Sequence, residues 1–201
     1  MSFVARLILV SLTLLAGAAE TLAASRDGAI MRTIGPTSQP VGHYEFCRRL
    51  PAECDPRGER RGRVQLTAAK WQQLIAINDN VNTAVDPGTD KEIFGVEEYW
   101  SFPEGRGDCE DYVLLKRREL IRLGWPAGAL LITVVRQSNG DGHAVLTVLT
   151  DRGDLVLDNL VGTIEVWNQT SYQYVKRQSD RDPGRWVSIE DDRDLLVGSV
   201  R

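Results

Sequence analysis

The chain has 201 residues, 42% of them hydrophobic and 26% charged, with a formal net charge of -4. That length and apolar content suit one globular domain able to bury a core, with room for a short appended segment. The acidic balance and the scatter of Lys and Arg exclude the basic footprint of a nucleic-acid binder, and the small run Arg57, Arg60, Arg61 and Arg63 reads as a solvated loop.

Residues 1–24 read as a signal peptide: Arg6, an apolar run from Leu7 to Ala19 broken by Ser11, Thr13 and Gly17, then small residues through Ala24. The run is short for a bilayer span and the Ala-rich tail suits a signal peptidase, so cleavage is favoured over an uncleaved anchor. Export follows, with the mature chain soluble in the periplasm or secreted. Residues 25–45, rich in Gly, Pro, Ser and Thr and without a sustained period, read as an extended leader on a domain spanning 46–201. In an oxidising compartment Cys47 and Cys54, at the ends of C-R-R-L-P-A-E-C, most simply form a disulfide. Zinc with His43 is the competing reading, although the spacing is wider than the usual knuckle. The pairing leaves Cys109 alone.

Thr67 caps a helix in which Trp71, Leu74, Ile75 and Asn78 fall at helical spacing, ending near Val85 before Asp86, Pro87 and Gly88. After a break at Pro103 to Gly107, a second helix is predicted to start at Asp108 or Cys109 and stop at Gly124. Val113, Leu114, Leu120, Ile121 and Leu123 form its apolar stripe, and its acids precede its bases, as the macrodipole favours. The period then becomes two: A-L-L-I-T-V-V, H-A-V-L-T-V-L, D-L-V-L-D-N, Y-Q-Y-V-K-R and R-W-V-S-I are separated by the turn signals N-G-D-G, D-R-G-D and D-P-G. Helices first and antiparallel strands later indicate an α+β domain.

Two histidines and one unpaired cysteine leave few chemistries open. A Cys/His hydrolase needs a thiolate at a helix N-terminus, an imidazole to share its proton and a third polar group to orient the ring. Cys109 opens the second helix, His143 opens a strand, and Asp158 ends the next one. If the turn at Asp151 closes with two or four residues, His143 and Asp158 share a face within about 5 to 8 Å; a three-residue loop or a bulge at Gly153 would separate them. A structural role for His143, and a strand-end role for Asp158, are the alternatives.

The order F-G-V-E-E-Y-W-S-F-P-E-G-R-G-D-C-E-D-Y-V-L-L-K, then G-D-G-H-A-V-L, then L-V-L-D-N-L, resembles the bacterial transglutaminase-like cysteine peptidases, the family that includes the LapG-type periplasmic proteases. The resemblance covers most of the chain from about Tyr44 onward. It implies a papain- and transglutaminase-like fold, with N-terminal helices packed on an antiparallel sheet and the nucleophile at a helix N-terminus. It also implies Cys109 as nucleophile, His143 as general base and acid, and Asp158 as orienting carboxylate. The oxyanion would be met by the Cys109 backbone N-H and a second donor, for which Trp100 is the candidate.

Asp108, Glu110 and Asp111 surround that cysteine with charge of the wrong sign. Two like charges about 5 Å apart at an effective dielectric near 20 repel by roughly 3 kcal/mol, as much as a helix terminus returns to a thiolate or more. Two readings offset this. Asp108 as N-cap and Asp111 as its capping-box partner would each satisfy backbone N-H groups. Alternatively, calcium held by Asp108 and Glu110, as the resemblance implies, would neutralise them; no organic cofactor is expected. The family likeness further implies an envelope or surface protein substrate of adhesin type and an inner-membrane regulatory receptor. Acyl transfer from a protein glutamine to an amine, and a non-catalytic binding module on the same fold, are the rival functions.

Overall fold

The computed structural model describes residues 28–55 and 62–193. The signal segment 1–24 and Arg57, Arg60 and Arg61 lie outside the described residues. In chain order the elements are β1 (Arg32–Thr37), α1 (Val41–Arg49), α2 (Ala68–Ala84), β2 (Asp86–Pro87), α3 (Asp90–Phe94), β3 (Arg106–Gly107), α4 (Cys109–Arg122), β4 (Leu130–Arg136), β5 (Gly142–Thr150), β6 (Gly153–Leu157), β7 (Glu165–Val166), β8 (Gln173–Gln178) and β9 (Trp186–Glu190). Among them β1 and β4 to β9 form a seven-stranded sheet ordered β1-β9-β8-β4-β5-β6-β7, antiparallel at every pairing. The architecture is α+β, as its sequence pattern indicated.

The two helices that matter most begin and end for local reasons. Thr67 Oγ1 accepts the Lys70 N-H at 3.2 Å at the start of α2. Helix α4 stops where Gly124 takes φ +86°, a conformation that a side chain would strain. Val113, Leu114 and Leu120 of α4 then pack with Leu74 of α2 and with Leu130, Ile132, Ala144, Leu146 and Val148 of β4 and β5 in one core cluster. Each fully buried Leu or Val contributes about 1.5–3 kcal/mol, so this contact clamps the start of α4 against the start of β5. Leu123, counted in the apolar stripe, is exposed instead, while Lys116 and Arg117 are buried, the latter donating from Nε to the Leu130 carbonyl at 3.0 Å.

Strand β5 is buried from His143 to Thr150 because the sheet is covered on both faces. Ala144, Leu146 and Val148 face the helices; Val145 belongs to a second cluster with Met31, Val135, Val156, Trp167, Tyr172, Tyr174 and Ile189. Double coverage explains why this strand is apolar at nearly every position.

The extended leader requires correction. Its residues from Arg32 to Thr37 are the sheet's edge strand, paired with β9 from Arg32 opposite Glu190 to Thr37 opposite Trp186, and helix α1 begins inside it. Pro36 hides the strand from a sequence reading, yet an edge strand tolerates proline because one side of its ladder is open. His43, placed in that leader, is instead buried on α1, where Nδ1 accepts the Trp186 indole N-H at 3.2 Å. Burial lowers its pKa to about 3, with the Arg117 charge adding to the effect, so the ring is neutral. Cys47 and Cys54 are joined in a disulfide with Cα atoms 5.6 Å apart, which removes the zinc reading. Arg63 is no freely solvated charge: Nη1 lies 2.6 Å from Asp154 Oδ1 and 2.9 Å from the Thr150 carbonyl. Among the described residues no helix is long and apolar enough to cross a membrane.

Candidate active site

The site is assembled by two short-range devices and one long-range pairing. The β5-β6 hairpin closes with the two-residue loop Asp151 and Arg152, since Thr150 pairs with Gly153, and its register runs without a bulge to Leu146 opposite Leu157. One further step puts Asp158 opposite Val145, diagonal to His143 and on its face. The expected meeting occurs: His143 Nε2 lies 2.8 Å from Asp158 Oδ1, both side chains almost wholly buried.

Asp158 is held by every side it presents. Oδ1 also accepts the Leu160 N-H at 3.0 Å, and Oδ2 accepts the Tyr172 hydroxyl at 2.5 Å. Burial alone would raise its pKa, but the His143 hydrogen bond and charge, with the Tyr172 and Leu160 donors, hold the carboxyl below the usual range. A carboxylate can only accept, so Nε2 of His143 carries the proton of that bond, and in the neutral ring Nδ1 is the nitrogen with a lone pair.

Cys109 is the first residue of α4, as predicted, and is the free cysteine of the described chain. The backbone of Ala144 lies close enough to its sulfur to favour the thiolate. Ala144 directly follows His143, so the thiol lies beside the start of the strand that carries the imidazole. Its Sγ also stands 3.1 Å from Glu110 Oε2. Burial first, then the Glu110 charge and hydrogen bond, push the thiol pKa well above its ordinary value, and the Ala144 contact only partly opposes them. In this arrangement the thiol is protonated and donates to Glu110.

The acids around it are not the helix cap that was one expectation. Asp108 stands at the N-cap in extended conformation, yet its side chain makes no cap hydrogen bond. Asp111 Oδ1 accepts the Ser101 N-H at 2.8 Å. Gly107 is needed for this packing, because a Cβ there would come within 2.8 Å of the Asp111 carboxyl. The Asp108 side chain turns instead toward Asp90 and Glu110, and one carboxylate oxygen from each of the three lies within 4.8 Å of the others. Burial raises Asp108 to about 6, with the charges of Asp90 and Glu98 adding and a hydrogen bond with Glu110 opposing; burial raises Glu110 to about 9, with the charges of Asp108 and Glu98 adding. Oδ1 of Asp90 and Oδ1 of Asp108 are buried without a hydrogen-bond partner. Buried carboxylate oxygens lacking donors are costly, and three acids converging on one point form the oxygen-only donor set of a hard divalent cation.

Asp90 escaped the sequence reading. It arrives through a parallel ladder only two residues long, Asp86 opposite Arg106 and Pro87 opposite Gly107, which lays the segment after Gly88 against the nucleophile's helix. Trp100, the candidate second oxyanion donor, requires correction. It is a core residue whose indole N-H is given to Glu98 Oε1 at 2.7 Å, so that donor is already committed. Tyr172 was read only as part of a strand.

A family model described as bacterial transglutaminase-like cysteine proteinase, BTLCP, matches residues 33–194. The chain belongs to this family. Among solved structures, this proteinase is similar to Legionella pneumophila LapG in an EGTA-treated form, with 27% identity and a TM-score of 0.50 over 63% of this chain and 74% of the other. It also resembles the calcium-bound form of the same protein, with 21% identity and a TM-score of 0.51 over 89% and 93%. That second likeness covers nearly the whole transglutaminase-like fold. No curated protein sequence matches the proteinase.

Proposed function

We propose that the proteinase is an exported, calcium-dependent endopeptidase that cuts an envelope or surface protein, with Cys109 as nucleophile, His143 as general base and acid, and Asp158 as the group that orients the ring. The observation that carries this reading is the buried His143-Asp158 pair at the strand start that also contacts the sulfur of Cys109 at the head of α4.

The chemistry follows from the atoms. With Nε2-H fixed on Asp158, Nδ1 of His143 is the base that takes the thiol proton as sulfur attacks the scissile carbonyl carbon. The C-N bond then breaks as the imidazolium returns that proton to the leaving amine, giving a thioester on Cys109. Water, deprotonated by His143, displaces the thiolate and completes hydrolysis. The Cys109 backbone N-H, unsatisfied at the helix start, meets the oxyanion.

The charge problem at Cys109 supports the metal. Asp90, Asp108 and Glu110 would hold calcium, which supplies the positive charge that their own carboxylates deny the thiolate. Export supports the disulfide and is in turn supported by the apolar N-terminal run. A periplasmic setting, an adhesin-like substrate and a membrane receptor that restrains the enzyme complete the proposal by family likeness. Cys109→Ala and His143→Ala should each abolish cleavage of a surface-protein digest while leaving the circular dichroism spectrum unchanged. Adding a labelled primary amine separates hydrolysis from acyl transfer. Retained scission by the Cys109→Ala protein removes the reading.

A further inference from the structure

Tyr172 is tied to both members of the polar pair. Its hydroxyl donates to Asp158 Oδ2 at 2.5 Å, and its ring lies against His143 with centroids 5.4 Å apart. It is itself held from behind. Arg193 donates from Nη2 to the Tyr172 carbonyl at 2.5 Å and from Nη1 to the Thr170 carbonyl at 3.1 Å. The same guanidinium is fixed by Asp191, with Nε to Oδ1 and Nη2 to Oδ2 both at 2.7 Å. Asp191 Oδ2 in turn accepts the Tyr174 N-H at 2.8 Å. The rings of Trp167 and Tyr174 flank the cation at 4.8 and 5.4 Å. An Arg committed to the carbonyls of Trp167, Thr170 and Tyr172, one carboxylate and two rings is a rigid part, since its planar fork loses little further freedom.

We propose that Tyr172 is a positioning residue of the Cys109-His143-Asp158 centre, and that Arg193 sets Tyr172 through its backbone. The proposal rests on the triad reading above. Asp158 needs this support because its two hydrogen bonds on Oδ1 leave the Tyr172 hydroxyl as the donor to Oδ2, beside a cleft. That cleft is lined by Val156, Asp158, Val161, Thr163, Glu165 and Tyr172 among others. The hydroxyl fills the second lone-pair site of the carboxylate, blocks water and fixes the rotation that aims Oδ1 at the imidazole. Without it the carboxylate is freer to rotate and carries more charge toward the ring.

The test uses Tyr172→Phe, which deletes the hydroxyl and keeps the ring on His143. Its kcat should fall about tenfold with KM unchanged, and the acid limb of its pH profile should move upward. The ring N-H proton resonance of His143 should shift and exchange faster in the same variant. Only one other histidine is present in the sequence, and it is buried and neutral. Arg193→Lys should give a weaker change in the same direction, and Arg193→Met a stronger one. A purely structural role would lower the melting temperature and leave the pH profile and the ring resonance where they were; that outcome overturns the proposal. Asp158→Asn keeps the two failures apart. If it is inactive while Tyr172→Phe behaves as the parent, the positioning claim alone falls; if Asp158→Asn is fully active, the triad and this proposal fall together.

Discussion

Cys109 is pulled in opposite directions by its position and its neighbours. The head of α4 and the Ala144 backbone favour its thiolate, whereas burial and the Glu110 carboxylate beside it oppose that form and outweigh them. Glu110→Gln isolates the larger charge effect. In chelated protein near pH 10, where Glu110 with its pKa raised to about 9 is ionised, this variant should react with iodoacetamide roughly tenfold faster than the parent, since removing a like charge at about 5 Å is worth up to about 3 kcal/mol at an effective dielectric near 20. The same variant should lose its rate response to added calcium, because the substituted side chain is a poorer ligand. An unchanged alkylation rate would show that burial alone holds the thiol down. At this scale the sequence carried much: the thiol, imidazole and carboxylate, and two of the three clustered acids, stand in local motifs. Asp90 and Tyr172 do not, because what makes each functional is a contact with a residue far along the chain.

Helices and strands were readable wherever chemistry alternates with a period, and unreadable where burial overrides it. Helix α4 shows both. Its start and its glycine stop are local, but its charge order, acids first and bases last, does not tell which bases are buried. Lys116 is fully buried, with no hydrogen-bond partner for its ammonium. Burial lowers its pKa from 10.5 to about 7, against the pull of Asp158 and Asp79. An unfolded chain holds this proton up to its ordinary pKa, so between about 7 and 10.5 the unfolded state binds more protons and the lysine's cost to folding fades as pH rises. Below that window the cost is complete. Lys116→Met, which keeps the apolar stem, should therefore raise the melting temperature at pH 6 by about 2–6 °C, with the gap closing toward pH 10. A destabilised variant at pH 6 would mean that the ammonium is satisfied by ordered water and that Asp158 depends on its charge. Strand β1 taught the converse lesson, since a Gly-Pro pair concealed an edge strand that pairing with β9 holds in place.

For the molecule as a whole, the acid cluster sets how stability depends on pH, and the metal should reverse it. Burial raises Asp108 to about 6, Asp111 to about 7 and Glu110 to about 9, from ordinary values of 3.8 and 4.5. A carboxyl raised in the folded state holds its proton where the unfolded chain has already released it. The folded protein thus binds more protons across the interval from about 4 to about 9, and its stability is complete below that interval and lost as pH rises through it. In EGTA the melting temperature should therefore fall by at least about 5 °C between pH 5 and pH 8, the sense opposite to that from Lys116. A calcium ion held by these acids would engage their ionised carboxylates in the folded protein only, so at saturating ion the fall should vanish and the gap between calcium and EGTA curves should widen with pH. Differential scanning fluorimetry across that range, with Asp90→Asn beside the parent, measures both slopes. Parallel curves in calcium and EGTA would show that no ion engages these acids, and the cluster would then stand as a set of protonated carboxyls that holds Cys109 silent.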